Sequence, residues 1–179
     1  MRIWEKVKDE TIVKDKFINI ESATWRMPNG NIVDKFYHYT KRNGVSIIAI
    51  DKDNNYILIK QFRPGVNKIT TEMPAGTVND DEDIQSTAAR ELLEETGYTS
   101  NKWTNLGYFS KNVFMTNDTE YLFIAEECTK IAEPVKFATE EQEVMVVDRA
   151  TLEQLIKNNE FYHAEHIVAL YKFENHLFE

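Results

Sequence analysis

Three glutamates near the middle of the chain, Glu91, Glu94 and Glu95, have a spacing that could build a metal site. On an α-helix, residues at i, i+3 and i+4 lie on one face, within about 100° of arc. Like charges at this spacing repel each other and destabilise a helix. Carboxylate oxygens are the ligands that Mg²⁺ and Mn²⁺ prefer, and a bound cation would remove the repulsion. A solvated acidic helix face is the alternative interpretation of these three residues taken alone.

The residues around the glutamates predict the helix that must position them. Residues 88–96 are mostly strong helix formers without Gly or Pro, and Gly97 is well suited to end the helix. The acidic residues 80–83 precede it, where negative charge suits a helix N-terminus. The face that we expect to pack on a core consists of Ala88, Ala89, Leu92, Leu93 and Thr96.

A longer pattern includes the three glutamates: G-x5-E-x7-R-E-U-x-E-E-x-G-U, where U is a bulky apolar residue. The residues at its named positions are Gly76, Glu82, Arg90, Glu91, Leu92, Glu94, Glu95 and Gly97. At average residue usage, the single-identity positions would match by chance on the order of 10⁻⁸ times per starting point. The stretch resembles the Nudix box, the signature of the Nudix hydrolases. Tyr98 stands at the last position, which is usually aliphatic and has a packing role.

The segment before the box resembles one branch of that family. Gln61-Phe62-Arg63 and the stretch E-M-P-A-G at 72–76 are similar to the Q-x-R and E-x-P-A-G lead-in of ADP-ribose pyrophosphatases and nucleoside-diphosphate-sugar hydrolases. ADP-ribose pyrophosphatases often carry Ser-Pro-Gly in a loop after the box. Here Ser110 is followed by Lys111, and the Pro-Gly is missing. Other nucleotide sugars and dinucleotides therefore stay open as substrates.

The resemblance implies a role for each box residue. The metal ligands that it implies, for Mg²⁺ or Mn²⁺, are the backbone carbonyl of Ala75 and the carboxylates of Glu91, Glu94 and Glu95. The structural residues that it implies are Gly76, Glu82, Arg90 and Gly97. Glu82 and Arg90 would pair to orient the loop, and Arg90 can also pair with Glu94 at i+4 on any helix. A carbonyl at a strand end needs a partner, and a hard cation is a good one.

Further residues are candidates for binding the substrate and for moving a proton. Arg63 could bind phosphate through two hydrogen bonds, with Glu72 of the lead-in beside the substrate, although a surface arginine is the alternative. The resembling branch places a further carboxylate on a late acidic loop, as general base or metal ligand. The candidates here are Glu141 and Glu143, with Glu140 in reserve and Glu94 on the helix. An ordinary charged loop is the alternative interpretation.

Composition limits the class of protein and its partners. The 179 residues suit one domain with a substantial core, and a net charge of −9 without a basic run argues against nucleic-acid or membrane-surface binding. No apolar run approaches the roughly 18 residues of a spanning helix, and the N-terminus lacks the apolar segment of a signal peptide. Cys128 is the only cysteine, so an intrachain disulfide cannot form and a reducing cytoplasm fits. We expect Cys128 to be a packed thiol.

Residue patterns outside the box predict a mixed α/β fold. The predicted strands span 2–8, 15–27, 31–40, 45–50, 56–62, 68–73, 102–110, 119–127 and 143–148. A capping-box signature at Thr151 and Gln154 predicts a helix over 151–158. A last helix is predicted over 163–177, and we interpret His163 and His166 as its start because they lack a recognised zinc spacing. These elements fit a Nudix-type α/β/α sandwich with an N-terminal antiparallel strand extension.

The resemblance implies a divalent-metal-dependent pyrophosphohydrolase. Its substrate would be a small nucleoside diphosphate derivative, ADP-ribose or a related nucleoside-diphosphate sugar, and its products a nucleoside monophosphate and a sugar phosphate. A housecleaning hydrolase of oxidised nucleoside triphosphates or dinucleotides is one alternative. A non-catalytic nucleotide-sensing Nudix module is another, but such modules typically lose box glutamates, and all of them are present here.

We predict one domain over residues 1–179, with 41–179 as the catalytic core and 1–40 as an N-terminal strand region. In the resembling branch these strands exchange across a homodimer and help to form the pocket for the base. A homodimer is therefore predicted here on the resemblance.

Overall fold

The computed structural model describes residues 1–16, 18–136 and 141–178. Its contacts divide the chain into two compact units. The sheet unit comprises Met1–Arg42 and Ser110–Thr119, and the core unit comprises Asn43–Phe109 and Glu120–Glu179. The chain thus leaves the core unit once, after Phe109, and returns to it at Glu120.

The sheet unit is a three-stranded antiparallel sheet in the order β1 (Glu5–Lys14), β2 (Asn19–Arg26) and β3 (Ile32–Thr40). Gly30 supplies the positive φ of 89° that the tight turn between β2 and β3 requires. The segment 110–119 joins this unit through the Tyr39 amide, which donates to the carbonyl of Met115 at 2.9 Å. All ten residues of β1 are exposed, so the edge of this sheet buries little.

The described residues of the core unit form an eight-stranded mixed sheet. Its strands are β4 (Gly44–Asp51), β5 (Tyr56–Arg63), β6 (Lys68–Glu72), β7 (Ala75–Thr77), β8 (Tyr98–Thr99), β9 (Lys102–Phe109), β10 (Glu120–Lys130) and β11 (Gln142–Val147). The order along the sheet is β11, β5, β4, β10 and β8, while β6 pairs with β5, β7 with β4 and β9 with β10. The central pair, β4 and β10, is parallel, and the other pairs are antiparallel.

Helices cover both faces of this sheet. Alternation along β4 sends Val45 and Ile47 into one apolar cluster, together with Ala88 and Leu92 of helix α1 (Ile84–Thr96). Ile48 points the other way, into a cluster that contains residues of α2 (Arg149–Lys157) and α3 (Ala164–Glu174). The predicted α/β/α sandwich, with its N-terminal antiparallel extension, is therefore confirmed.

Helix α1 starts four residues before the predicted first residue. Asp83 is its N-cap, because the Asp83 carboxylate accepts a hydrogen bond from the Ser86 amide at 2.9 Å. Gly97 ends the helix as predicted, with a φ of 76° and its amide donating to the carbonyl of Leu93 at 2.8 Å. Of the predicted core face, Ala88, Leu92 and Thr96 are buried, whereas Ala89 and Leu93 are half-buried.

The predicted capping box of α2 is wrong. Asp148 is the N-cap, and its carboxylate accepts the amide of Thr151 at 2.8 Å, so the helix begins at Arg149. The cap is an aspartate three residues before the threonine of the Thr-x-x-Gln signature, so the helix begins earlier than that signature predicted. The predicted helix at 163–177 begins at Ala164, directly after His163.

Strand boundaries differ most at the N-terminus. β1 extends to Lys14, whereas a strand ending at residue 8 was predicted, and β2 begins only at Asn19. The short strands β7 and β8 were not predicted, because two or three residues carry no periodic signal. Cys128 is buried, as expected for a packed thiol, and burial raises the pKa of its thiol to about 11. Among the described residues, no helix has the length and apolar character needed to cross a membrane.

Candidate active site

Strand β7 brings the first residues of the box against helix α1. It pairs with β4, so that Ala75 lies opposite Ser46 and Gly76 opposite Val45. The Ala75 amide donates a hydrogen bond to Glu95 Oε2 at 2.9 Å. A Cβ built on Gly76 would overlap the side chain of Glu91. Glycine at this position therefore allows the backbone of β7 to approach the helix carboxylates closely.

Arg90 is shared by three carboxylates. Its Nε and Nη2 donate to the two oxygens of Glu82 at 2.7 Å and 3.0 Å, a bidentate pair. Its Nη1 lies 2.8 Å from Glu91 Oε1 and 3.0 Å from Glu94 Oε2. The hydrogen bonds from Arg90 lower the pKa of Glu82 to about 2. Arg90 thus ties the loop before α1 to the acidic face of the helix.

The acidic face still has more negative than positive charge. Burial raises the pKa of Glu91 in spite of Arg90, and raises that of Glu95 to about 8 in spite of the Ala75 amide. The neighbouring charge of Glu91 acts in the same direction on Glu95. Hard oxygen donors that lose hydration and repel one another fit a divalent cation of the Mg²⁺ or Mn²⁺ type. In this structure Glu91 and Glu94 turn to Arg90, and Glu95 turns to Ala75.

Arg63 and Glu72 form a second charged cluster, close enough for both to influence the pKa of Glu95. Arg63 Nε donates to Glu72 Oε1 at 2.8 Å, and Arg63 Nη2 to Oε2 at 2.5 Å. The side chain of Glu72 is 1% exposed, whereas that of Arg63 is 42% exposed. Gln61 Nε2 donates to Glu72 Oε2 at 3.3 Å, and the Thr70 hydroxyl donates to Oε1. Hydrogen bonds from Arg63, His163 and Thr70 hold the pKa of Glu72 well below its usual range against the effect of burial.

Two histidines at the start of α3, the N-cap His163 and His166, complete this cluster, and no functional role was predicted for them. His163 Nε2 lies 3.1 Å from Glu72 Oε1, and the ring of His163 stacks on that of His166 at 5.1 Å and 15°. His166 is buried, and its Nδ1 accepts the Met73 amide at 3.2 Å. The ligand atoms of His163, Glu165 and His166 lie within 4.8 Å of one another. No local signal could have revealed these contacts, because His166 and Met73 are 93 residues apart in sequence.

A buried carboxylate at the start of the parallel strands was also missed. Glu120 is 3% exposed, and Ser46 donates its hydroxyl to Glu120 Oε1 at 2.5 Å. The register pairs Glu120 with Gly44, and a Cβ on Gly44 would overlap the Glu120 carboxylate. Because Ser46 pairs with Ala75 across β4 and β7, the Glu120 carboxylate bonds to the residue of β4 that lies opposite Ala75.

The late acidic loop lies partly outside the described residues. Glu140 is not among them, so the structure gives no account of that candidate. Glu141 is exposed directly before β11, and Glu143 is exposed on β11, opposite Lys60 of β5. Among the described residues no hydrogen bond or ion pair joins Glu141 or Glu143 to the box, and their catalytic roles stay predictions.

The chain is similar in sequence to known proteins. It matches the NUDIX domain family over residues 40–170. It is 31% identical over 168 residues to an ADP-ribose pyrophosphatase of Bacillus subtilis, covering 92% of this chain and 89% of the relative. It is 27% identical over 167 residues to the methanol dehydrogenase activator of Bacillus methanolicus, with the same coverage.

The fold also matches a solved structure, the crystal structure of an ADP compounds hydrolase. The TM-score is 0.87 at 22% identity, covering 99% of this chain and 95% of the other. This likeness confirms the predicted fold. The family match and the Bacillus subtilis relative confirm the predicted family, and this chain belongs to the Nudix hydrolases.

Proposed function

We propose that this Nudix hydrolase is a divalent-metal-dependent pyrophosphohydrolase that cleaves the diphosphate of ADP-ribose or a related nucleoside-diphosphate sugar. The observation that carries the proposal is the pairing of two unlike clusters. An acidic helix face that fits a cation lies within electrostatic reach of an arginine held on a buried glutamate. A diphosphate bound with a cation needs both. The name of the Bacillus subtilis relative, ADP-ribose pyrophosphatase, supports the same substrate class.

In this proposal the Ala75 carbonyl, Glu91, Glu94 and Glu95 hold the metal, Mg²⁺ or Mn²⁺. When bound, the metal supplies positive charge to the diphosphate and lowers the pKa of a coordinated water. Arg90 keeps Glu91 and Glu94 in place through its bonds to both, and Glu82 fixes the direction of Arg90. Gly76 and Gly97 allow the close backbone approach and the helix end that this arrangement requires.

In this proposal Arg63 binds the diphosphate together with the metal. Glu72 bonds to one edge of the Arg63 guanidinium and so orients this half-exposed side chain. Less rotamer entropy is therefore lost when Arg63 binds a phosphate. Glu141 or Glu143 accepts the proton of the attacking water, with Glu94 as the alternative base. Water adds across the P–O–P bridge, so ADP-ribose would give AMP and ribose 5-phosphate.

A hydrolysis panel tests the proposal. The purified chain with Mg²⁺ would be given ADP-ribose, GDP-mannose, ADP-glucose, UDP-glucose, NADH, a diadenosine polyphosphate and 8-oxo-dGTP, with Glu95→Gln as the inactive control. Preferred turnover of a diphosphate sugar is the expected result. Preferred turnover of 8-oxo-dGTP or the dinucleotides would favour the housecleaning alternative. Tight binding of a nucleotide without turnover would favour the sensing module.

We also propose that the chain acts as a homodimer through the sheet unit. The support is its exposed apolar side chains: Ile12, Ile32 and Tyr37 are 49%, 54% and 48% exposed on a sheet that buries few of its residues. Residues 1–40 would then be the dimerising part and 41–179 the catalytic core of one domain. Light scattering at micromolar concentration tests this, and a monomer there would contradict it.

A cytoplasmic location fits the buried Cys128 thiol.

A further inference from the structure

Glu72 is a buried carboxylate that meets two cationic side chains. Arg63 holds both of its oxygens, and His163 Nε2 lies 3.1 Å from Oε1. Bonds to Glu165 and Glu72 raise the pKa of His163 to about 9, so His163 is an imidazolium at neutral pH. Arg63 and His163 together offset the cost of burying the Glu72 charge. Without His163, Arg63 would be the one charged partner of Glu72 among the described residues and would have to offset the buried charge alone.

Between β6 and β7, several backbone amides donate hydrogen bonds to other parts of the chain. The Thr71 amide donates to the carbonyl of Glu160 at 2.9 Å, and the Ala75 amide donates to Glu95. Pro74 has no amide hydrogen to give. Met73 lies between them, and its amide donates to Nδ1 of the buried His166. The imidazole therefore fixes the backbone two residues before Ala75.

His166 can hold this position only as a neutral ring. Its Nδ1 lone pair accepts the Met73 amide, which places the ring proton on Nε2. Complete burial lowers the pKa of His166 to about 3, and the charges of Arg63 and His163 act in the same direction. Glu72 and Glu165 oppose them. The two stacked rings thus hold different charge states side by side.

We infer that His163 and His166 are positioning residues for the hydrolysis proposed above, on which this inference rests. His163 shares the Glu72 carboxylate with Arg63 and so sets how Arg63 meets the diphosphate. His166 holds the Met73 amide and so sets where the Ala75 carbonyl lies. His163 thus affects substrate binding, and His166 affects the position of a proposed metal ligand.

The first test separates the two roles by kinetics. His163→Gln keeps an N–H donor for Glu72 but removes the charge, and we expect the KM for ADP-ribose, or for the substrate preferred in the panel, to rise about tenfold with kcat within about twofold. The double variant with Arg63→Lys should raise KM by less than the product of the single effects, because both residues act through Glu72. His176→Asn, a substitution of an exposed histidine, is the control and should leave both constants unchanged.

The second test uses the conservative variant of His166. Asparagine can present its Oδ1 where the imidazole has Nδ1, so His166→Asn should keep the Met73 bond, whereas His166→Leu cannot. We expect the Mg²⁺ concentration for half-maximal rate to stay within about twofold in His166→Asn and to rise about tenfold in His166→Leu. Circular dichroism confirms that each variant is folded before its kinetics are compared. A folded His166→Leu with an unchanged Mg²⁺ requirement would overturn the role of His166.

A third measurement does not depend on turnover. Nitrogen-15 spectra of the histidine rings at pH 7 should show His163 doubly protonated and His166 neutral with its proton on Nε2. A cationic His166, or a proton on its Nδ1, would overturn the inference, as would an unchanged KM in His163→Gln. An inactive wild type would instead show that the proposed function is wrong, and the positioning roles would fall with it.

Discussion

The two charged clusters beside β7 have inverse compositions. On the helix side, one guanidinium, Arg90, meets the carboxylates of Glu82, Glu91 and Glu94. On the α3 side, one carboxylate, Glu72, meets two cations, Arg63 and His163.

The difference shows in how each cluster responds to burial. Burial raises the pKa of Glu91 and Glu95, so the partners on the helix side do not offset the loss of hydration of these two carboxyl groups. The pKa of Glu72 stays below its usual range although this side chain is buried more deeply, so the α3 side is complete within the protein. An incomplete cluster is suited to take up a cation, whereas a complete one is suited to hold its shape. Four substitutions can break or sharpen this comparison.

The largest effect is expected from Glu95→Gln, which replaces a carboxyl group of the incomplete cluster by an amide. We expect kcat for the preferred diphosphate substrate to fall about a hundredfold or more, because a neutral amide is a poor ligand for a hard cation. A chelator should abolish activity in the wild type, and added Mg²⁺ should restore it. Glu133→Gln is the matched control, since its side chain is 85% exposed and pairs with Lys130 alone among the described ion pairs. Equal activity in Glu95→Gln and wild type would contradict the metal assignment.

Gly76→Ala should have the next largest effect. Its Cβ would overlap the side chain of Glu91, so either β7 or the carboxylate must move. We expect kcat to fall at least about tenfold, because a displacement of about 1 Å at a catalytic group is costly. Gly65→Ala is the control, because a Cβ there meets nothing within 4 Å. Similar kinetics for the two variants would mean that β7 tolerates the shift.

Arg90→Lys tests the bidentate bond at the incomplete cluster. Lysine offers one point charge and cannot span both oxygens of Glu82 while reaching Glu91. We expect the free energy of unfolding to fall by about 1 kcal/mol, and kcat to fall severalfold. The same change at Arg149, which bonds to Glu153 and Glu174, should cost similar stability and leave kcat unchanged. A loss of kcat in both variants would contradict a specific role of Arg90 in activity.

The smallest effect is a dependence of stability on pH at the complete cluster. The pKa of His163 rises from its ordinary 6.5 to about 9 on folding. Its contribution is therefore fully present below pH 6.5 and is lost as the pH rises through 9. The free energy of unfolding of wild type minus that of His163→Gln should fall by on the order of 1 kcal/mol between these values, after screening is allowed for. Urea unfolding across this range measures it, and a flat difference would contradict the Glu72 pair.

The sequence predicted what short-range rules govern. The helix that carries the box glutamates and its end at Gly97 follow from residue types within a few positions. The sandwich follows from the order of strands and helices together with the resemblance to the Nudix family. Aspartate at 148 could have been recognised as a cap, since it stands three residues before Thr151. Arg63 and Glu72 were named from the lead-in, but their partner His163 could not be, because it reaches Glu72 from the start of α3 over a long separation in sequence. Contacts of that kind depend on the tertiary structure, and no local sequence pattern predicts them.

The excursion of the chain through segment 110–119 has a consequence for how the protein assembles. Phe109 and Glu120, which flank this segment, pair with each other on β9 and β10. Once those strands pair, the entropy of closing the loop has already been lost, and the segment is held in place for β3. The sheet unit thus contains a segment whose two ends continue into paired strands of the core unit. Deleting residues 1–42 would leave that piece without its hydrogen-bond partner at Tyr39, rather than remove a unit cleanly.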